Sequence, residues 1–209
     1  MERGRLITIE GLDGAGKTTL AGALAGALHE RGQEAFVLRE PGGVNLSERI
    51  RALVKDPDLE MHPRAEALLY AAARAQLVAE QLEPLLAAGH WVLLDRFVDS
   101  SLAYQGAGRG LGVEEIRRLN RFATGGLGPD RTLLLRIDAR AGLGRVAGRP
   151  DDADRLEREE VAFFETVGAA YDALAAAEPK RFAVIDAGRE PGAVLADCVA
   201  ALAPLLQRS

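Results

Sequence analysis

The sequence predicts an α/β fold, a three-layer sandwich in which a five-stranded, mostly parallel sheet lies between helices. Three observations carry this expectation. Five short apolar runs rich in β-branched residues alternate with helical patterns along the chain. The run Trp91-Val92-Leu93-Leu94 is continuously apolar instead of alternating, as a strand covered by helices on both faces must be. Finally, 209 residues, 48% of them hydrophobic, suffice for one full core and leave little room for a second, so residues 1–209 are expected to form a single domain.

The elements follow in order. Leu6 to Glu10 is an apolar, β-branched strand that runs directly into the glycine-bearing segment Gly11 to Thr18. From Thr18 to Arg31 the pattern turns helical, with Leu20, Leu24, Ala27 and Leu28 on one face and Gly32 as the stop. Ala35 to Arg39 is the second strand, and Leu46 to Lys55 a helix closed by Asp56-Pro57-Asp58. A long helix is predicted from Pro63 to about Ala88, with the proline in its first turn. His90 to Asp95 is the third strand. A polar, glycine-rich stretch reaching Gly112 reads as irregular, followed by a helix from Val113 to Thr124 and a fourth strand from Thr132 to Ile137. Ala139 to Val146 is helical, Gly148 to Ala153 a loop, and Asp154 to Ala177 helical again. Arg181 to Asp186 is the fifth strand and Pro191 to Leu206 a closing helix.

Composition excludes several classes. With a net charge of −5 the chain lacks the basic surface that a wrapped nucleic acid needs, so no nucleic-acid partner is expected. No apolar run approaches the ~18 residues of a membrane span, and the segment Met1 to Arg5 carries no apolar leader, so a cytoplasmic protein without a membrane partner is expected. The single cysteine, Cys198, sits in an apolar helical pattern and reads as a buried, inert thiol, and three scattered histidines offer no zinc spacing. Of 26 cationic residues only Lys17, Lys55 and Lys180 are lysines, so anion recognition falls to arginine, whose fork suits phosphate.

The chemistry concentrates in Gly11-Leu12-Asp13-Gly14-Ala15-Gly16-Lys17-Thr18, which fits G-x-x-x-x-G-K-[ST] between a predicted strand and a predicted helix. Glycines let backbone N–H groups turn around phosphate oxygens, and the helix N-terminus adds positive potential. Lys17 reaches the outer phosphates, and the Thr18 hydroxyl binds Mg²⁺. The expected ligand is a nucleoside triphosphate, held by Gly11 through Thr18. Asp95 closes a buried strand, where a carboxylate needs a cation or donors, and suits a second metal ligand; capping the next helix is the alternative. Arg39 and Arg96 lie at the ends of the second and third strands and could converge on one anionic group at the same edge of the sheet. Tyr70 and Arg74, spaced i and i+4, present an aromatic plane beside a guanidinium, which suits a nucleobase, although an ordinary amphipathic helix would carry the same pair.

Four segments stand together in order: Glu10-Gly11-Leu12-Asp13-Gly14-Ala15-Gly16-Lys17-Thr18-Thr19, Arg39-Glu40-Pro41-Gly42-Gly43, Asp95-Arg96-Phe97 and Ala103-Tyr104-Gln105-Gly106. With Leu68 to Gln76 as a base-binding helix, the sequence closely resembles the bacterial thymidylate kinases from about Leu6 to the final helix. The resemblance implies a P-loop nucleoside monophosphate kinase fold and transfer of the ATP γ-phosphoryl group to dTMP with Mg²⁺, by a homodimer. Carried over residue by residue, it implies that Tyr70 stacks on thymine, Arg74 bonds its carbonyl edge and Gln105 lies close to the base. Asp13 would face the sugar 3′-hydroxyl and Tyr104 would crowd the 2′ position. Arg39 and Arg96 would hold the acceptor phosphate, and Asp95 would support Mg²⁺. The chain departs from the family pattern at Ala73, Phe97 and Val44-Asn45.

Residues 145–157 resemble the family's lid, ending in Asp154-Arg155-Leu156-Glu157. In this family the catalytic arginine sits in the phosphate loop or in the lid. Gly14 follows Asp13 here and the loop has no arginine, so charge stabilisation is assigned to Arg149 and Arg155, beside Lys17 and Arg96, with Arg145 in reserve. A solvated charged loop is the alternative. Two rival functions stay open at this level: a P-loop kinase for another nucleoside monophosphate or deoxynucleoside, and a nucleotide-dependent switch ATPase.

Overall fold

A computed structural model describes residues 3–148 and 155–206. The elements in chain order are β1 (Leu6–Gly11), α1 (Lys17–His29), β2 (Ala35–Arg39), α2 (Asn45–Lys55), α3 (Pro63–Leu77), α4 (Glu83–Ala87), β3 (Trp91–Asp95), α5 (Val98–Ser101), α6 (Val113–Ala123), β4 (Arg131–Arg136), α7 (Ala139–Ala147), α8 (Val161–Ala177), β5 (Phe182–Asp186) and α9 (Pro191–Leu206). Helix α3 runs into α4 through one π-helical turn, Val78–Leu82, and a second π-helical segment, Leu102–Gly108, follows α5.

The strands form one sheet in the order β2-β3-β1-β4-β5. Every pairing is parallel, so the sheet is wholly parallel and not merely mostly so. Both faces are covered. Ile7, Ile9, Leu93, Leu133 and Leu135 pack against Leu20 and Leu24 of α1 and Val194, Cys198 and Leu202 of α9. The alternate residues Leu6, Val92 and Leu94 meet Leu77, Val78, Leu82 and Leu86, while Leu134 meets Leu102, Tyr104, Phe164 and Tyr171. Each such buried leucine or phenylalanine contributes roughly 1.5–3 kcal/mol. Cys198 is buried in the first of these clusters, and burial pushes its thiol up to about 12.

Helix α1 covers one face and α5–α6 the other, so the chain leaves the carboxyl ends of neighbouring strands β1 and β3 in opposite directions. That divergence opens a crevice at the sheet's edge, where ligands bind in doubly wound folds. Register brings Ile9 opposite Asp95 and Asp95 opposite Arg39, so the ends of three adjacent strands lie together and Asp95 and Arg39 are delivered to one place.

Three local expectations are corrected. The stretch from Val98 to Gly108 is helical, not irregular. Its glycines mark tight packing instead of turns: a Cβ on Gly106 would lie 3.0 Å from the Val113 Cα, and one on Gly108 2.7 Å from the Phe163 ring. The helix expected from Asp154 begins only at Val161. Residues 155–158 form turns, because the Arg155 N–H donates to the Lys55 carbonyl and docks the segment on α2. Finally, the long helix from Pro63 is interrupted by the π-helical turn, which inserts one residue into the hydrogen-bond ladder ahead of Pro84.

Candidate active site

The phosphate loop spans the end of β1 and the start of α1. Gly14 and Gly16 adopt φ of 79° and 91°, the left-handed region that lets successive N–H groups face inward. Gly14 is also fixed by packing. A Cβ there would lie 2.1 Å from the Gly142 carbonyl oxygen of α7, which leaves no room for the arginine found in the loops of some P-loop kinases. Gly14→Ala is therefore expected to displace the loop and lower kcat/KM for ATP on the order of tenfold or more, as steady-state kinetics would show. Arg145 of α7 donates to the carbonyls of Gly14 (3.4 Å) and Ala187 (3.1 Å), tying the loop to the segment after β5.

Lys17 is buried and folds back over the loop, donating to the carbonyls of Leu12 (2.9 Å) and Gly11 (3.2 Å), with Asp13 Oδ1 at 3.8 Å. Burial, reinforced by the nearby Arg96 charge, lowers its ammonium to about 8. Thr18 donates to Asp95 Oδ2 at 2.7 Å, so the end of β3 and the start of α1 share an oxygen-only pair. Arg96 does not pair with its neighbour Asp95. It adopts φ of 68° and turns to Asp13, with Nη2 at 2.6 Å from Asp13 Oδ1 and 3.2 Å from the Tyr104 hydroxyl. The Tyr104 hydroxyl in turn donates to Asp13 Oδ2 at 3.1 Å. Although burial pushes the Asp13 carboxyl up, the charges of Arg96 and Lys17 outweigh it and hold the group well below the usual carboxylate range.

Lining the same cleft are Asp13, Gly14, Gly16, Lys17, Thr18, Arg39, Tyr70, Arg74, Asp95, Arg96, Tyr104 and Gln105. The structure thus gathers the predicted residues of four separate segments around one cavity. Some are already engaged. Arg39 is half exposed and bonds Glu48 through Nη2 at 2.8 and 3.1 Å. Gln105 donates to Glu66 at 2.8 Å. Arg74 is buried at 2% exposure, and four of its N–H groups donate to protein acceptors: Nε to Glu40 Oε2 (2.7 Å), Nη1 to Ser101 (2.9 Å) and Asn120, and Nη2 to the Phe97 carbonyl (2.9 Å), with Nη2 also 2.6 Å from the same Glu40 oxygen. Contact between Arg74 and a ligand would require one of these bonds to be shared.

Arg155 is not brought to the cleft. Its Nη2 lies 2.6 Å from buried Glu66 and its Nε 3.2 Å from the Val54 carbonyl, and its neighbours Leu156 and Glu157 line the cavity instead. Arg149 lies outside the described residues.

Several residues in and beneath the cleft were not singled out from the sequence. Arg51 and Lys55 of α2 line the cavity, Arg51 bonding the Pro41 carbonyl at 2.9 Å. The turn after Arg39 aims α2 at the cleft, and cations at i and i+4 on that helix are the signal that could have found them. Glu10 lies at 0% exposure on β1; its signal was a charge inside a strand otherwise buried on both faces. Ser100 and Tyr171, which contact Glu10, had no signal at all.

The thymidylate kinase family model matches residues 9–198, nearly the whole chain and every segment that lines the cleft. The chain belongs to the thymidylate kinase family. Among curated relatives named thymidylate kinase, that of Halorhodospira halophila is 48% identical over 207 residues, covering 98% of this chain and 96% of its own. The protein of Latilactobacillus sakei is 48% identical over 203 residues, 96% of this chain and 95% of that one. The Deinococcus radiodurans protein is 48% identical over 202 residues, 97% and 98% of the two chains. Membership in a thymidylate kinase family makes the cleft a place where two phosphate-bearing molecules meet. The cluster of Lys17, Arg39, Arg51 and Arg96 on its walls is the charge such a meeting needs.

Proposed function

We propose that the chain transfers the γ-phosphoryl group of ATP to dTMP, giving dTDP and ADP on the route to dTTP. The observation that carries this is the shared cavity: the phosphate loop on one wall, and Arg39, Tyr70, Arg74, Arg96, Tyr104 and Gln105 on the others. In the reaction a dTMP phosphate oxygen attacks the γ-phosphorus, the bond to the β–γ bridging oxygen breaks, and ADP leaves with that electron pair. Phosphoryl transfer asks of the protein chiefly in-line positioning and neutralisation of charge. Lys17 leaves its loop carbonyls to meet the ATP phosphates, and Arg96 and Arg39 hold the acceptor phosphate. Tyr70 stacks on the base with Arg74 and Gln105 at its edge. Asp13 takes the sugar 3′-hydroxyl, and Tyr104 fills the space a 2′-hydroxyl would need.

A magnesium ion fits the Thr18 hydroxyl and Asp95 carboxylate, an oxygen-only pair at the mouth of the phosphate loop. Bound there, it would neutralise charge on the transferred group. We assign the lid's charge stabilisation to Arg149, since Arg155 is held by Glu66. Arg149→Ala is expected to lower kcat by about a hundredfold or more while dTMP affinity changes by less than about threefold. Equal losses in both would assign Arg149 to binding.

A homodimer is supported by apolar residues left exposed on helices that pack on one another: Leu53 of α2, Leu68 of α3 and Phe122 of α6, the last 89% exposed. A monomeric mass in sedimentation would contradict it. Among the described residues no helix is long and apolar enough to cross a membrane. We place the work in the cytoplasm, where ATP is supplied and dTTP consumed. Label from γ-phosphate-labelled ATP should appear in dTDP, with little released as inorganic phosphate; label found mainly in phosphate would overturn the assignment.

A further inference from the structure

Directly beneath the cleft lies a carboxylate that the phosphoryl-transfer scheme above does not use. Glu10 has no exposed surface, yet both of its oxygens are engaged. Oε1 accepts the Phe97 N–H at 2.8 Å, and Oε2 accepts the hydroxyls of Ser100 at 2.5 Å and Tyr171 at 2.9 Å. Each of these donors touches Arg96. The preceding residue, Ile9, accepts the Arg96 N–H at 3.0 Å, so two consecutive residues of β1 fix the backbone turn on which Arg96 sits with φ of 68°. The Ser100 and Tyr171 oxygens lie 3.0 and 3.5 Å from Arg96 Nη1.

Hydrogen-bond direction gives this arrangement its consequence. Burial and the nearby Asp99 charge push the Glu10 carboxyl up to about 7. In its ionised form it only accepts, so Ser100 and Tyr171 direct their hydrogens at Glu10 or, across the 2.9 Å between them, one at the other, and both oxygens keep lone pairs for the guanidinium, which only donates. Asp13 and Tyr104 hold the other guanidinium nitrogen. We propose that Glu10 is a positioning residue for Arg96: it pins the Phe97 amide and polarises the Ser100 and Tyr171 hydroxyls so that the guanidinium is presented to the acceptor phosphate. The inference rests on the assignment of dTMP phosphate to Arg96.

The conservative change Glu10→Gln keeps the volume but introduces an NH₂ that must donate to Ser100 or Tyr171. A hydroxyl that accepts from this NH₂ must send its own hydrogen elsewhere, to the other hydroxyl or toward Arg96, which disturbs the lone pairs facing the guanidinium. Calorimetric binding of dTMP and of thymidine separates positioning from general damage, since thymidine lacks the group Arg96 is assigned to hold. Glu10→Gln is expected to weaken dTMP about tenfold or more and thymidine by less than about twofold. Tyr171→Phe, which removes one relay hydroxyl, should cause a smaller loss confined to dTMP, and the double variant should bind dTMP no more weakly than Glu10→Gln alone. If Glu10→Gln does not fold, Tyr171→Phe decides by the same comparison. Equal losses for the two ligands, or unchanged dTMP binding, would overturn the positioning role. A wild-type protein that binds no dTMP would instead overturn the function on which it rests.

Discussion

Replacing Arg96 with alanine is expected to lower kcat/KM for dTMP by about a thousandfold, the scale of losing a charged donor aimed at a transferring phosphoryl group. Its guanidinium lies between two pairs of ligands, Asp13 and Tyr104 on one side and Ser100 and Tyr171 on the other. Burial acts against its charge, but Asp13 at 2.6 Å outweighs that and holds the group firmly protonated. Removing it leaves Asp13 with Lys17 as its nearest remaining cation, at 3.8 Å. The positive φ adds a second expectation. Alanine at φ 68° is strained where glycine is not, so Arg96→Gly should lose activity equally while melting at a higher temperature than Arg96→Ala. Arg96→Lys keeps the charge but not the fork that reaches two ligand pairs at once, so it should recover only part of the loss. Kinetics with varied dTMP, alongside thermal melts, check all three.

Lys17→Met is expected to lower kcat by about a thousandfold with ATP as donor, because no other ammonium reaches the phosphate loop from α1. Its lowered titration point makes a further, signed prediction. With burial holding Lys17 near 8, the free protein at pH 9 carries mostly neutral amine there. Triphosphate brings negative charge and restores the ammonium, so ATP binding at pH 9 should take up a proton, whereas at pH 6.5 Lys17 is already charged and contributes no uptake. Calorimetry in buffers of different ionisation enthalpy measures this directly. Lys17→Met should abolish the uptake at pH 9; unchanged uptake would place the titrating group elsewhere.

The order of strands and helices was legible because the strands are short, mostly apolar runs and the helices between them have their own periodicity. Leu6 to Gly11 and Ala35 to Arg39 are bounded by residues whose preferences leave no ambiguity. The phosphate loop was equally plain, since its glycines, lysine and threonine act through local geometry. What failed was what depends on distant partners. Gly106 and Gly108 read as loop formers because the residues they make room for, Val113 and Phe163, are far enough along the chain to leave no local mark. That Glu66 holds Arg155 and Glu40 holds Arg74 left no local mark either, since whether a guanidinium meets a buried carboxylate turns on where those glutamates fall in the fold. The pairing of Arg96 with Asp13, 83 residues away, rather than with Asp95 beside it, is of the same kind.

The most direct measurement is ADP release by the purified protein from ATP and Mg²⁺, with dTMP, dUMP, dCMP, dGMP, UMP and thymidine each offered as acceptor. Rapid turnover with dTMP, slower turnover with dUMP and almost none with the others is the predicted result. A missing methyl group costs only about 1–3 kcal/mol of discrimination, whereas a changed base edge or an added 2′-hydroxyl leaves polar groups unpaired or crowded. No turnover with dTMP beside rapid turnover with another acceptor would contradict the assignment of Tyr70, Arg74 and Tyr104 to thymidylate, and release of ADP without any acceptor would contradict a kinase.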